Sequence, residues 1–303
     1  MATQKLNNFC KKICWTNLLF ILLTPVVAVI GITWLYSRGG SHWGAWVLLP
    51  VMMGLTGLGI TAGYHRLFSH RSYQAHWLVR LFYLLFGGAC FEGSVREWCQ
   101  AHRRHHQYTD KEGDPYNAKK GFLYSHILWI FLKSDQSDLS NIQDLLADQL
   151  VRWQDRYYVV LAVLFGFGLP TGVAALWGDP WGGLFIAGVL RVVLNHHLTW
   201  LINSYCHFVG RQTYSDQVTA RDSGFISLFT YGEGFHNFHH AFQADYRNGV
   251  RAFHWDPSKW LIFLLSKMGL TKNLRRIPAP AILAARLRMD EKRLREFMLQ
   301  RER

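Results

Sequence analysis

Apolar and polar residues sort into long blocks along this chain. Asn17 to Tyr36 carries no charged side chain, and a helix of that length crosses a hydrocarbon core of roughly 30 Å. It is too long for the apolar core of a cleavable signal, and no small-residue cleavage site follows it. A turn at Ser37 to His42 leads into a second uncharged block, Trp43 to Gly63, which returns the chain to its starting side. The pattern repeats with Tyr158 to Trp177, a turn at Gly178, Asp179 and Pro180, and then Trp181 to about Tyr205. The expected spans are therefore about 17–36, 43–63, 158–177 and 181–205, forming two hairpins. The segments 64–157 and 206–303 are too rich in Arg and Lys for lipid and form a cap. Within the first of them, Trp77 to Phe91 is apolar but short and carries Arg80, so an interfacial or re-entrant helix is expected. An amphipathic, highly charged helix follows Pro278 and Pro280. Together these elements predict one all-α integral membrane domain over residues 1–303.

Composition agrees: 50% of the 303 residues are apolar, 15% aromatic and only 17% charged, which is too greasy for an ordinary soluble domain. The net charge of +13 matters through its distribution. Only Arg38 lies in the first far-side turn and no Lys or Arg lies in the second, so the positive-inside rule puts both termini and the cap in the cytoplasm. Orientation and anionic lipid account for much of the basic surface without nucleic acid. The cysteines at 10, 14, 90, 99 and 206 form no CxxC pair, which excludes a thiolate zinc site or an iron–sulfur cluster, and Cys10 and Cys14 are expected to be inert.

The chemistry lies in the histidines. WCQAHRRHH at 98–106 sets His102, His105 and His106 at i, i+3 and i+4, on one face of a helix, where they can converge on a cation. His236, His239 and His240 repeat the spacing, His65 and His70 flank HRLFSH, and His207 follows Asn203 by four residues. Nine such imidazoles suit two metals. His65 and His70 can share a site only if the second span ends or unwinds near Gly63. Asn203 offers an amide as ligand or as holder of a metal-bound water. Imidazole ligation suits iron, copper or zinc. The absence of HExxH argues against hydrolytic zinc, and a membrane setting points to two irons and O₂ chemistry on an unactivated C–H bond. A metal transporter would instead place its ligands midway along its spans. A di-iron hydroxylase shares the logic and differs in product.

Other positions receive structural readings. His42, His76, His126 and His254 are expected to be interfacial or hydrogen-bonded. By helix rise His196 lies roughly 16 Å deeper than His207, too far to ligate, and is expected beside the substrate path or bonded to another helix. Arg191 is deeper still, and the sequence assigns it no partner. Gly54, Gly57 and Thr61 form a small-residue stripe, serving either close helix packing or room for an apolar ligand. No GxGxxG, flavin or cytochrome motif is present, so electrons are expected from a separate protein, either a ferredoxin, a rubredoxin or a cytochrome b5.

GITAGYHRLFSHRSYQA at 59–75, EWCQAHRRHH at 97–106, DPYNAKKGFLYSHILW at 114–129, TWLINSYCH at 199–207 and GEGFHNFHH at 232–240 resemble the motifs of membrane fatty acyl desaturases of the stearoyl-CoA Δ9 type, in a bacterial-looking form. The resemblance implies a di-iron centre under a cytosolic cap that inserts a cis double bond near the middle of a saturated acyl chain, using O₂ and two electrons. It also implies a cell-membrane location, the inner membrane of a bacterium. By the same resemblance the nine histidines are metal ligands and Asn203 holds a water. Thr199 and Trp200 line the acyl tunnel near its bend, Lys119 and Lys120 face a CoA head group, and Met53 and Gly57 set the tunnel's end. The chain departs from the acyl-CoA members at Gln100 and Ala101, where they place arginine and aspartate. An acyl chain carried on phospholipid or acyl carrier protein therefore remains an alternative.

Overall fold

The computed structural model describes residues 12–133 and 138–302, so Cys10, Lys5 and Lys11 lie outside the described residues. Among the described residues, four helices are long and apolar enough to cross a membrane: Trp15–Ser37, Trp43–Ser69, Tyr158–Ala175 and Pro180–Phe208. Their outer faces leave Val26, Val29, Ile30, Val159 and Val160 exposed, as lipid-facing side chains are. At the far end Asp179 ties the two hairpin turns together. Its carboxylate accepts from the Ser41 hydroxyl at 2.5 Å and from the His42 amide at 2.8 Å. His42 also caps the second span by accepting from the Gly44 amide at 3.0 Å, a structural role as expected.

The second span departs from expectation. It runs six residues past Gly63, through His65 to the residue before His70, and does so as a π-helix over Gly59–Ser69. Glycine permits the tight contacts this demands: a Cβ on Gly59 would meet the backbone of Gly87, and one on Gly63 would strike the Tyr83 ring. Trp77–Gly88 forms the short helix expected there, and its Arg80 pairs with Asp148. A two-stranded antiparallel ribbon, Gln74–Ala75 with Thr271–Lys272, joins the middle segment to the tail. The last helix, Ala279–Arg301, is largely exposed.

Arg191 finds its partners in backbone. Its guanidinium donates to the carbonyls of Ala89 and Gly166 at 2.9 Å each and to Ala187 at 3.2 Å. Gly166 lies in another π segment, Leu164–Gly168. A buried arginine here bolts the third and fourth spans to the end of the Trp77–Gly88 helix.

Candidate metal centre

The helix Val95–Tyr108 carries the second histidine box, and its start is fixed by a capping box. The Ser94 amide donates to Glu97 at 3.1 Å and the Glu97 amide donates to the Ser94 hydroxyl at 3.3 Å. The third box occupies the short helix His236–Ala241. His207 lies on the Tyr205–Phe208 turn after the fourth span breaks at Ser204.

These elements bring all nine histidines into two adjacent groups: His65, His70, His102, His106 and His239 in one, and His105, His207, His236 and His240 in the other. Neither HxxHH box converges on a single point, as its one-face spacing suggests. In each box the i and i+4 rings enter one group and the i+3 ring enters the other, because residues four apart stack along a helix while the i+3 ring is offset around it. The boxes contribute reciprocally, so each group depends on both.

His65 and His70 share their group without a break in the helix, which widens into a π-helix between them. The His70 amide donates to the His65 carbonyl at 3.0 Å, five residues back, so the wide helix brings the two rings edge to face with centroids 4.7 Å apart.

The ring nitrogens fit a pair of cations. In the first group Nε2 of His65 lies 3.1 Å from that of His239, His70 2.9 Å from His102, and His106 3.0 Å from His239. In the second, His207 and His240 each lie 3.1 Å from His236, and His105 lies 3.4 Å from His240. Neighbouring ligands at right angles around an ion with bonds of about 2.1 Å stand about 3.0 Å apart. Four of the opposite nitrogens have partners, whereas His236 Nδ1 is buried without one among the described residues. His65 Nδ1 faces Glu233 at 2.9 Å, His105 Nδ1 faces Asp114 at 2.9 Å, His102 Nδ1 faces the Tyr116 hydroxyl at 3.1 Å, and His207 Nδ1 faces the Thr219 hydroxyl at 2.8 Å. With a proton directed to each carboxylate, Nε2 of His65 and of His105 presents an inward lone pair, the form that ligates a cation. Burial, reinforced by the crowding of neighbouring rings, holds His70, His102, His106, His236, His239 and His240 well below the usual imidazole range, so they stand neutral and ready to ligate.

The supporting acids escaped the sequence reading. Glu233 precedes the third box by three residues and Asp114 follows the second by eight; an acid near a histidine box was their only signal. Burial raises the Glu233 carboxyl, but His65 and Arg66 outweigh it and hold the group below its usual range. Arg66, inside the first box, also pairs with Asp256 at 2.9 Å.

A cavity of about 520 Å³ opens beside the metal groups. His65, His102, His105, His236 and Asn203 line it, as do Thr199, Trp200 and Gly57. Met53, Lys119 and Lys120 do not; the two lysines are exposed on a turn, whereas Lys133 does line it. Ala101 forms part of the wall, and Gln100 turns away to donate to the Asp138 carbonyl at 2.7 Å. Glu92, unforeseen in the sequence, accepts from the Thr199 hydroxyl at 2.8 Å and the Trp98 indole at 3.1 Å, drawing two walls together. His196 lines the cavity, stacked on Trp200, with Nε2 2.9 Å from the carbonyl of Cys90 in the turn after the Trp77–Gly88 helix. His126 lies 3.0 Å from the Ser204 hydroxyl, and His254 stacks on Phe235. His76 caps its helix by accepting from Leu78.

Four membrane-capable helices and two histidine groups that could hold metal, set against one mostly apolar cavity, define a helical membrane protein with a metal-capable site. Residues 41–258 match the family model for fatty acid desaturases, and the chain belongs to that family. It is 38% identical over 95% of its length to acyl-CoA desaturase 1 of Saccharomyces cerevisiae, and 40% identical over 90% to a probable acyl-CoA desaturase of Schizosaccharomyces pombe. The chain spans 57% of the length of each of these yeast proteins. It is 34% identical over 93% of its length to human stearoyl-CoA desaturase 5, covering 86% of that protein.

Proposed function

We propose that this protein is a fatty acyl desaturase that inserts a cis double bond, at the Δ9 position, into a saturated chain carried on CoA. The observation that carries this reading is the adjacency of the two histidine groups to one deep, mostly apolar cavity. Family membership and the names of the relatives support it.

Two irons held by the nine histidines, with Asn203 fixing a water, would supply the oxidising power to remove two hydrogens from adjacent methylenes while O₂ and two external electrons end as water. The chain's own residues do the positioning. Trp98, Glu92 and Thr199 narrow the cavity beside the metal groups, and Trp200 backs His196 where the path turns inward. The apolar depth strips water from the acyl tail, so only a chain of suitable length brings its middle carbons to the histidines. Electrons would arrive from a ferredoxin, rubredoxin or cytochrome b5 at the basic cap, which this reading places in the cytoplasm of a cell whose membrane the four spans cross.

Expression in a host lacking its own desaturase, followed by gas chromatography of its fatty acids, tests the reading. New monounsaturated chains with the bond nine carbons from the carboxyl end support it; hydroxylated chains would assign a hydroxylase instead. Ala101 in the cavity wall, where the acyl-CoA members place an aspartate, favours one further comparison, with acyl chains on phospholipid.

A further inference from the structure

The deep end of the cavity is built differently from what the second span alone suggests. Gly57 lines it, yet the space its missing side chain leaves is filled: a Cβ at Gly57 would fall 2.2 Å from the ring of Tyr231. Tyr231 also lines the cavity, and its backbone sits at φ 55°, a region that costs a side-chain-bearing residue energy and persists only where surroundings enforce it. They do enforce it. The next residue, Gly232, is held at φ 100° against Asp256, and the Glu233 amide donates to the Thr230 carbonyl at 3.1 Å. Glu233 in turn orients His65, and Arg66 joins Glu233 to Asp256. The ring of Tyr231 is thereby fixed relative to the first metal group through two residues of backbone.

Opposite this ring lies a polar knot. Asn195 donates to the Thr56 hydroxyl at 2.6 Å, and the Cys90 thiol donates to the Thr56 carbonyl at 3.4 Å. Asn195 and Cys90 line the cavity, and Thr56 adjoins Gly57. Gly57 precedes His65 by eight residues, most of them in the wide helix, so the separation is shorter than the roughly 12 Å of a regular α-helix, and the knot and the ring together stop a tail at that depth below the first metal group.

We propose that Tyr231 is the residue that sets the longest acyl tail this protein accepts, its ring lying across the bare backbone of Gly57 to form the cavity floor. This rests on the reading of the cavity as an acyl site. Removing the ring, not enlarging the second span, then controls the depth. It also changes what a substitution at Gly57 does: a methyl there pushes first on the Tyr231 ring.

The test uses the full-length, metal-loaded protein in detergent, with saturated acyl-CoAs of graded length. Binding is read by displacement of a fluorescent fatty acyl probe, and turnover by product chromatography. For Tyr231→Ala, chains longer than the wild-type optimum should gain on the order of tenfold in relative binding and relative use, the discrimination that one methylene can command in an apolar pocket. Tyr231→Phe keeps the ring and should keep the wild-type length profile. Gly57→Ala should favour shorter chains, and adding Tyr231→Ala to it should restore longer ones, which a folding defect would not do. An unchanged length profile in Tyr231→Ala of wild-type metal content overturns the proposal. If the binding profile lengthens but wild-type protein forms no double bond in any chain, the floor assignment stands and the desaturase reading falls. If no acyl-CoA displaces the probe from wild-type protein, both fall.

Discussion

Glu233 holds His65 and Arg66 with one carboxyl group: Oε2 lies 2.9 Å from His65 Nδ1, while Oε1 accepts from the guanidinium at 2.9 Å. The arginine keeps the carboxylate charged, and the carboxylate keeps the imidazole proton on Nδ1, leaving Nε2 for metal. Glu233→Gln should therefore weaken metal binding at the first group by about 10- to 100-fold. Iron titration of the purified protein checks it; unchanged affinity would mean that Glu233 only packs.

The two groups should empty separately. His106→Ala removes a ligand from the first group alone and His240→Ala from the second alone, so each variant should approach half the wild-type iron content and lose activity. Because insertion depends on the apolar spans, both should still reach the membrane. Metal analysis beside membrane fractionation decides the matter, and full activity in either variant would overturn the ligand assignment.

Glu92 gives the protein a pH dependence of its own. Burial raises its carboxyl from the ordinary 4.5 to about 7, against the opposing pull of the Thr199 and Trp98 hydrogen bonds. The folded protein thus keeps a proton that the unfolded chain releases, so this contribution to stability is full below about pH 4.5 and fades as pH rises toward 7. Glu92→Gln should remove that slope, with a gain over wild type on the order of 2–3 kcal/mol at pH 8 and little difference at pH 4.5. Thermal unfolding in detergent across that range measures it, with parallel melting curves as the contrary result.

Head-group recognition separates the lysines. If Lys119 and Lys120 face CoA phosphates, Lys119→Glu with Lys120→Glu should raise KM for acyl-CoA strongly and leave free-acid binding in the cavity unchanged. Lys133, at the cavity wall, should affect both. Equal turnover by the double variant, together with consumption of phospholipid, would assign a lipid carrier instead.

Much of this architecture was already in the one-dimensional pattern. Uncharged blocks of about 20 residues can satisfy their backbone in lipid only as helices, so the four spans and their pairing follow from the sequence. The six histidines of the two HxxHH boxes were legible because imidazoles at i, i+3 and i+4 share a helix face. The division of all nine into five and four was not, since spacing places rings on a helix face but does not say which second helix meets that face. Nor could spacing show that a π-helix brings His65 and His70 together, because the extra residue per turn is stabilised by contacts of Gly59 and Gly63 with Gly87 and Tyr83, distant in sequence. The carboxylates behind the rings, the carbonyls around Arg191 and the Tyr231 ring filling the space above Gly57 share that origin. Each is a long-range contact whose partners the folded chain alone brings within a few ångströms.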